Sequence, residues 1–243
     1  MRKLSVFLLV FLLSVLAGTP PAHATSVNLA ELIASQGTIT VGDKLFSNFT
    51  FSMTTTDPEN TTPAGASGII VSDLQVGNLL GLAFTGGITA QNGATLDLVI
   101  GYKVTVLDPE RLLSDVSLIF NGVASLGSHT SIVETVLDAM PAPGQPALIG
   151  EALVQDPPNG QHEDLIDLSR KVRMALIQKN IILQAAKNNI FFDGNVTISV
   201  VDQLFSQDPP REVPEPASLV LLGMALLGIR AGRRRIGRAK SIV

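Results

Sequence analysis

The sequence has no cysteine, no tryptophan and one tyrosine in 243 residues. No disulfide can staple the fold, which leaves the compartment open, because oxidising compartments permit disulfides without requiring them. The missing tryptophan removes the ring platform on which sugar C–H faces usually stack. Histidine is scarce, with three in the chain. Basic residues are scarce in the middle: residues 25–216 hold all 21 acids and nine bases, a net charge of −12. Such an acidic body argues against a nucleic-acid partner, since phosphate binding needs a basic footprint. The other eight cationic residues lie at the ends, two in 1–24 and six in 217–243, with no acid beside them. This asymmetry separates a body from two processing ends.

The beginning reads MRKLSVFLLVFLLSVLAGTPPAHA. Arg2 and Lys3 form a positive start, and Leu4 to Leu16 form an apolar block broken only by Ser5 and Ser14. Gly18, Pro20 and Pro21 end it, and Ala22 and Ala24 put small residues before Thr25. This is the pattern of a secretory signal peptide over residues 1–24, cleaved before Thr25. The block is shorter than the ~20 residues a membrane span needs.

The far end reads VPEPASLVLLGMALLGIRAGRRRIGR, from Val213 to Arg238. Pro214 and Pro216 fix φ and remove two backbone donors, so Pro214-Glu215-Pro216 is expected to stay extended. Ala217 to Ile229 carries no charge. As a helix it would be about 20 Å long, against an apolar bilayer core of ~30 Å, so it holds a chain in a membrane only weakly. Arg230, Arg233, Arg234 and Arg235 follow it, and the positive-inside rule keeps them cytoplasmic. Both ends thus place the body on the far side of the membrane. Extended Pro-Glu-Pro, a short apolar helix and an Arg cluster, in that order, resemble the PEP-CTERM sorting signal of Gram-negative bacteria. The resemblance implies an exosortase-type processing enzyme as partner, transient membrane attachment, and an inner-membrane-held precursor released to the cell surface or extracellular matrix.

The body has strand patterning. In TLDLVIGYKVTVL, Leu96, Leu98, Ile100, Tyr102, Val104 and Val106 alternate with Thr95, Asp97, Val99, Gly101, Lys103 and Thr105. In NVTISVVDQLF, Val196, Ile198 and Val200 oppose Thr197 and Ser199. In LFSNFTFSM, Leu45, Phe49, Phe51 and Met53 oppose Phe46, Asn48, Thr50 and Ser52. Period-2 alternation rich in β-branched and aromatic residues predicts half-buried strands. Gly/Pro/Asn/Asp-rich stretches, including the Gly86–Gly87 pair, read as the turns between about ten strands. The expected fold is all-β, an antiparallel β-sandwich of jelly-roll type spanning 25–205. Residues 206–213 would link it to the sorting segment 214–238, with its membrane helix at 217–229. Residues 163–179 allow either a helix, with Leu165, Leu168, Val172 and Leu176 at helical spacing, or two strands turning at Arg170–Arg173; the flanking strands favour the second. TITVGDKLFSNFTF (Thr38–Phe51) and TISVVDQLF (Thr197–Phe205) are similar to segments shared by a group of PEP-CTERM proteins, which implies one exported β domain and no particular activity.

Reactive groups are thin. His129 sits near Ser128 and Ser131, without a Gly-x-Ser-x-Gly elbow, and reads as a turn histidine. His162 lies beside Glu163 and Asp164 without spaced partners for a metal. The pairs Asp57/Glu59 and Asp108/Glu110 bracket prolines and read as turns; Glu163, Asp164 and Asp167 open the ambiguous segment. No catalytic, cofactor or metal residue is assigned. The expected function is an exported, non-enzymatic structural or interaction protein of the envelope or matrix, with extracellular polysaccharide as a candidate partner. The alternative is a carbohydrate-binding module or polysaccharide hydrolase. Protein recovered from the surface of its native host is expected to begin at Thr25; N-terminal sequencing that finds Met1 or Arg2 retained would contradict the leader assignment.

Overall fold

A computed structural model describes residues 26–156, 160–187 and 194–208. Ala22, Ala24 and Thr25 at the cleavage point lie outside them, as do Pro214, Glu215, Pro216 and the arginines Arg230, Arg233, Arg234 and Arg235 of the tail. Strand β1 (Ser26–Asn28) leads into helix α1 (Leu29–Ala34), where the Ala30 N–H donates to the Asn28 side chain at 2.9 Å. The helix buries Leu29 and Leu32. Twelve strands follow: β2 (Ile39–Val41), β3 (Lys44–Thr55), β4 (Thr61–Thr62), β5 (Ile70–Val76), β6 (Leu79–Gln91), β7 (Thr95–Val106), β8 (Leu113–Ala124), β9 (His129–Asp138), β10 (Leu148–Asp156), β11 (Glu163–Val172), β12 (Met174–Gln184) and β13 (Asn195–Gln207).

The strands form two antiparallel sheets. One has the order β1-β5-β6-β13-β8-β11, with β4 also on β6; the other has β10-β9-β12-β7-β3-β2. Strands β6 to β9 alternate between the sheets, and so do β10 to β13. A strand that can bury only one face must find a second sheet, and the two sheets pack as a sandwich. Their inner faces meet through rings: Phe46 of β3 lies 5.8 Å from Phe205 of β13, and Phe84 of β6 lies 5.7 Å from Tyr102 of β7. The segments Thr38–Phe51 and Thr197–Phe205, far apart in sequence, therefore share one core.

The expected alternation of β7 is observed: Leu96, Leu98, Ile100, Tyr102, Val104 and Val106 are all buried. Three details differ from the sequence reading. The alternation places Phe46 on the face opposite Phe49, yet Phe46 and Phe49 are both buried. Asn48 adopts φ 57° and the ladder to β7 shifts between Ser47 and Thr50, so a bulge resets the phase of β3. Gly86 and Gly87 do not end a strand. They lie within β6, where Ile88 pairs Ile198 and Thr85 pairs Val200, so the two glycines face Ser199 alone. Finally, β13 continues through Gln207, two residues into the expected linker. The ambiguous segment 163–179 is strand: β11 and β12 flank Arg173.

Gly81 of β6 has no room for a side chain, since a Cβ there would fall 1.7 Å from the Gln203 carbonyl oxygen of β13. The close approach fixes β13 against β6 beside the centre of the core. Leu98 is fully buried between Met53 of β3 and Ile181 of β12. Leu98→Asp forces a charge into that site and is expected to destabilise by about 4 kcal/mol. Urea denaturation checks this, and an unchanged midpoint would mean that Leu98 does not face the core.

Candidate functional site

The described residues bring chemistry together at two places, one sealed and one open. The sealed one lies between the sheets. Glu134 of β9 is in phase with buried Ile132 and Val136; Lys179 of β12 is in phase with buried Ile177 and Ile181. The register pairs Lys179 directly with Glu134. From the opposite sheet, Gln203 of β13 points into the same space. All three side chains are fully buried. Lys179 Nζ donates to Glu134 Oε2 and to Gln203 Oε1, and Gln203 Nε2 donates to the Ser117 carbonyl at 3.1 Å. Glu134 Oε1 and the Tyr102 hydroxyl are buried without a hydrogen-bond partner.

Burial dominates the electrostatics. It raises the Glu134 pKa, against the Lys179 charge and the hydrogen bonds from Lys179 and Gln203. It lowers the Lys179 pKa, against the attraction of Glu134. It also raises Tyr102 well above the ordinary phenol value, with the Glu134 charge adding to the effect. The pair is thus pushed toward amine and carboxylic acid. With no exposed atom, the cluster cannot meet a substrate from solvent.

The open place is a polar cleft of about 530 Å³ where β13 ends, lined by Asp43, Gln75, Asn78, Arg111, Ser206 and Gln207, with Leu79 and Leu80. Gln207 Nε2 donates to both Asp43 carboxylate oxygens, at 2.7 and 2.9 Å. Lys44 Nζ lies 3.5 Å from Asp43 Oδ1. Burial lowers its pKa, Asp43 opposes that, and the Arg111 charge adds to it. Next along the chain, Asp208 pairs with Lys171 at 2.7 Å and donates its N–H to the Leu112 carbonyl. The cleft is therefore also the clamp on the end of the folded body.

The residues weighed from the sequence are dispersed. His129 opens β9; Ser128 is buried, with its hydroxyl accepting the Ala186 N–H at 3.0 Å. His162 packs at a tilt against Phe120, ring centres 4.6 Å apart, and its Nε2 lies 3.8 Å from Asp156. Asp57 and Asp108 each accept a backbone N–H two residues on, from Glu59 and Glu110, as turn residues do. Asp164 accepts the Leu153 N–H at 2.8 Å across the seam between β11 and β10. Among the described residues no three His, Asp or Glu gather as a metal site. Sequence reasoning missed Glu134, Lys179 and Gln203. Their signal was present: each is a polar residue at an inward phase of an alternating strand.

Removing Lys179 alone should expose the cost of the cluster. Lys179→Met strands a buried carboxylate and is expected to cost about 3–5 kcal/mol, with Lys179→Met/Glu134→Leu costing less. In the single variant the Glu134 pKa rises further above its model-compound value of 4.5. The folded state then keeps a proton that the unfolded state releases, so stability is greatest below about 4.5 and falls as pH rises through the raised pKa. Denaturant midpoints of the variant should decline between about pH 5 and 8 more than those of the double variant; parallel profiles would contradict this.

No curated protein matches the sequence. Among solved structures, the fold is similar to TmCBM61 in complex with β-1,4-galactotriose, at 11% identity and TM-score 0.32, over 64% of this chain and 88% of that one. It is also similar to the enzymatically active domain of Bacteriophage CBA120 tailspike protein 4, at 16% identity and TM-score 0.27, over 65% of this chain and 19% of that one. Residues 212–235 match the PEP-CTERM protein-sorting motif. The match takes in Pro214, Glu215, Pro216, Arg230 and Arg233–Arg235, and begins four residues after Asp208, the last described residue of the body. By its tail, the chain carries the PEP-CTERM sorting motif, and with it the mark of an exported protein.

Proposed function

We propose that the chain is a structural or interaction protein of the cell envelope or extracellular matrix, delivered there by its tail and without catalytic activity of its own. The observation that carries this reading is the sorting-motif match over 212–235, set directly after a clamped β-sandwich. Each part of the tail has a separate task. The two prolines hold an extended handle for an exosortase-type enzyme outside the bilayer. The short apolar run keeps the precursor in the inner membrane, and the arginines keep its end cytoplasmic. After cleavage the body enters the matrix, where an acidic sandwich stays hydrated.

The competing reading, a polysaccharide-binding module or hydrolase, gains little support from the side chains. Tyr102, Phe46, Phe49, Phe84, Phe120 and Phe205 are all buried, so they offer no stacking surface. Polysaccharide remains a partner of the assembled matrix rather than the ligand of a defined cleft.

The test is fractionation of the native host together with the mass of the mature C-terminus. A chain ending at Glu212 is expected to be exported and folded but not delivered to the surface. Pro214→Ala/Pro216→Ala should insert normally and be processed more slowly, because the handle can join the helix. Replacing Arg233, Arg234 and Arg235 with Ser should weaken retention, by about 1 kcal/mol per charge at an anionic leaflet, and release unprocessed protein to the periplasm. A truncated chain that reaches the surface, with a proline variant cut as fast as the parent, would reduce the tail to a simple anchor.

A further inference from the structure

The sealed cluster has a composition that goes beyond an ion pair. A lysine, a carboxamide and a carboxyl group converge with no water-facing atom, and each comes from a different strand. Lys179 stands in one sheet and Gln203 in the other. Around them Ile100, Ile181, Val136, Leu82, Leu118 and Val201 are all fully buried. Lys179 Nζ touches the Gln203 carbonyl oxygen and Glu134 Oε2 at once, while Gln203 Nε2 is drawn the other way by the Ser117 carbonyl. The amine therefore sits at the carbonyl end of the amide, and the amide nitrogen is turned toward a separate acceptor.

We propose that Lys179 and Gln203 become joined by an intramolecular isopeptide bond that forms within the folded sandwich, with Glu134 transferring the protons and ammonia as the leaving group. The Lys179 Nζ lone pair attacks Gln203 Cδ. Glu134, as the acid, donates its proton toward Oε1 as negative charge develops there. The resulting carboxylate takes a proton from Nζ and passes one to Nε2. The Cδ–Nε2 bond breaks, the carbonyl reforms, and Glu134 ends protonated as it began. An amine and a primary amide become a secondary amide and ammonia; nothing is oxidised or reduced, and no co-reactant is required.

Three physical terms favour the step. A lysine is a nucleophile only as the free amine, and burial lowers the Lys179 pKa while raising that of Glu134. The packing of the two sheets holds Lys179 against Gln203, strand pairing holds Lys179 beside Glu134, and well-oriented groups of this kind reach effective concentrations on the order of 10⁵ M or more. The product also removes the amine that could take up a proton, so no buried ammonium–carboxylate pair, with its desolvation cost, can re-form. Gln203 is favoured over Glu134 as the acyl partner because consuming Glu134 would leave the step without a proton carrier.

The bond is read directly from mass. The full chain is purified, digested and sequenced by tandem mass spectrometry. The expected product is a branched peptide joining the segment around Lys179 to that around Gln203, lighter than the sum of its parts by one ammonia, about 17 Da. Trypsin should leave the Lys179 site uncut. Lys179→Met and Gln203→Leu should give linear peptides only, and Glu134→Gln, shown folded by circular dichroism, should lose the branch. Linear peptides at full mass in the parent protein would overturn the proposal. So would a branch from Lys179 to Glu134, lighter by one water, about 18 Da. A branch that persists in Glu134→Gln would overturn the role given to that carboxyl group.

Discussion

One lysine with no route to water sets the terms for the whole sandwich. Lys179 can be buried only where Glu134 stands opposite it and Gln203 reaches down from the other sheet. A slip of one residue in β9 or β12 would turn one partner to solvent and leave the other as an isolated charge in the core. Apolar strands of similar length and composition can pair in several registers; a buried charge with partners on two sheets admits one. The desolvation cost of the cluster thereby becomes a penalty on every misaligned alternative, a use well attested for buried polar groups.

The rest of the core is built outward from that point. Tyr102 lies within 6.0 Å of Phe46, 5.8 Å of Phe49 and 5.7 Å of Phe84, so three rings from both sheets surround one phenol. Gly81 lets β13 close on β6 at the level of Gln203. The bulge at Asn48 swings Phe46 inward to meet Phe205. A chain with no cysteine has gathered the contacts of both sheets into the middle of the molecule, where a covalent tie between β12 and β13 would do the work that disulfides do elsewhere.

Much of this was legible beforehand, for reasons that depend on range. The alternation of β7 and the ordered parts of the tail are local patterns, and a local pattern survives in one dimension. Phe46 was misplaced because a single residue in a left-handed conformation shifts the phase of everything before it, and Asn48 does not announce this by itself. Helix α1, over six residues, is too short to display a period. The cluster was invisible as a cluster because Glu134, Lys179 and Gln203 are separated by 45 and 24 positions, and only the fold decides which strands become neighbours. What could have been noticed is the misfit of each one: Glu134 stands between Ile132 and Val136, Lys179 between Ile177 and Ile181, and Gln203 between Val201 and Phe205 at every second position.

Strand β13 also has a mechanical meaning. It is hydrogen-bonded along its length to β6 on one side and β8 on the other, and its last residues are tied to Asp43 and Lys171. The sorting motif that a membrane or a processing enzyme would hold begins at residue 212, five positions past the end of that strand. Tension passed along the axis of β13 would load two ladders in shear, many bonds sharing the force together, instead of peeling them apart singly. The body can be tugged by its own handle without being unravelled by it.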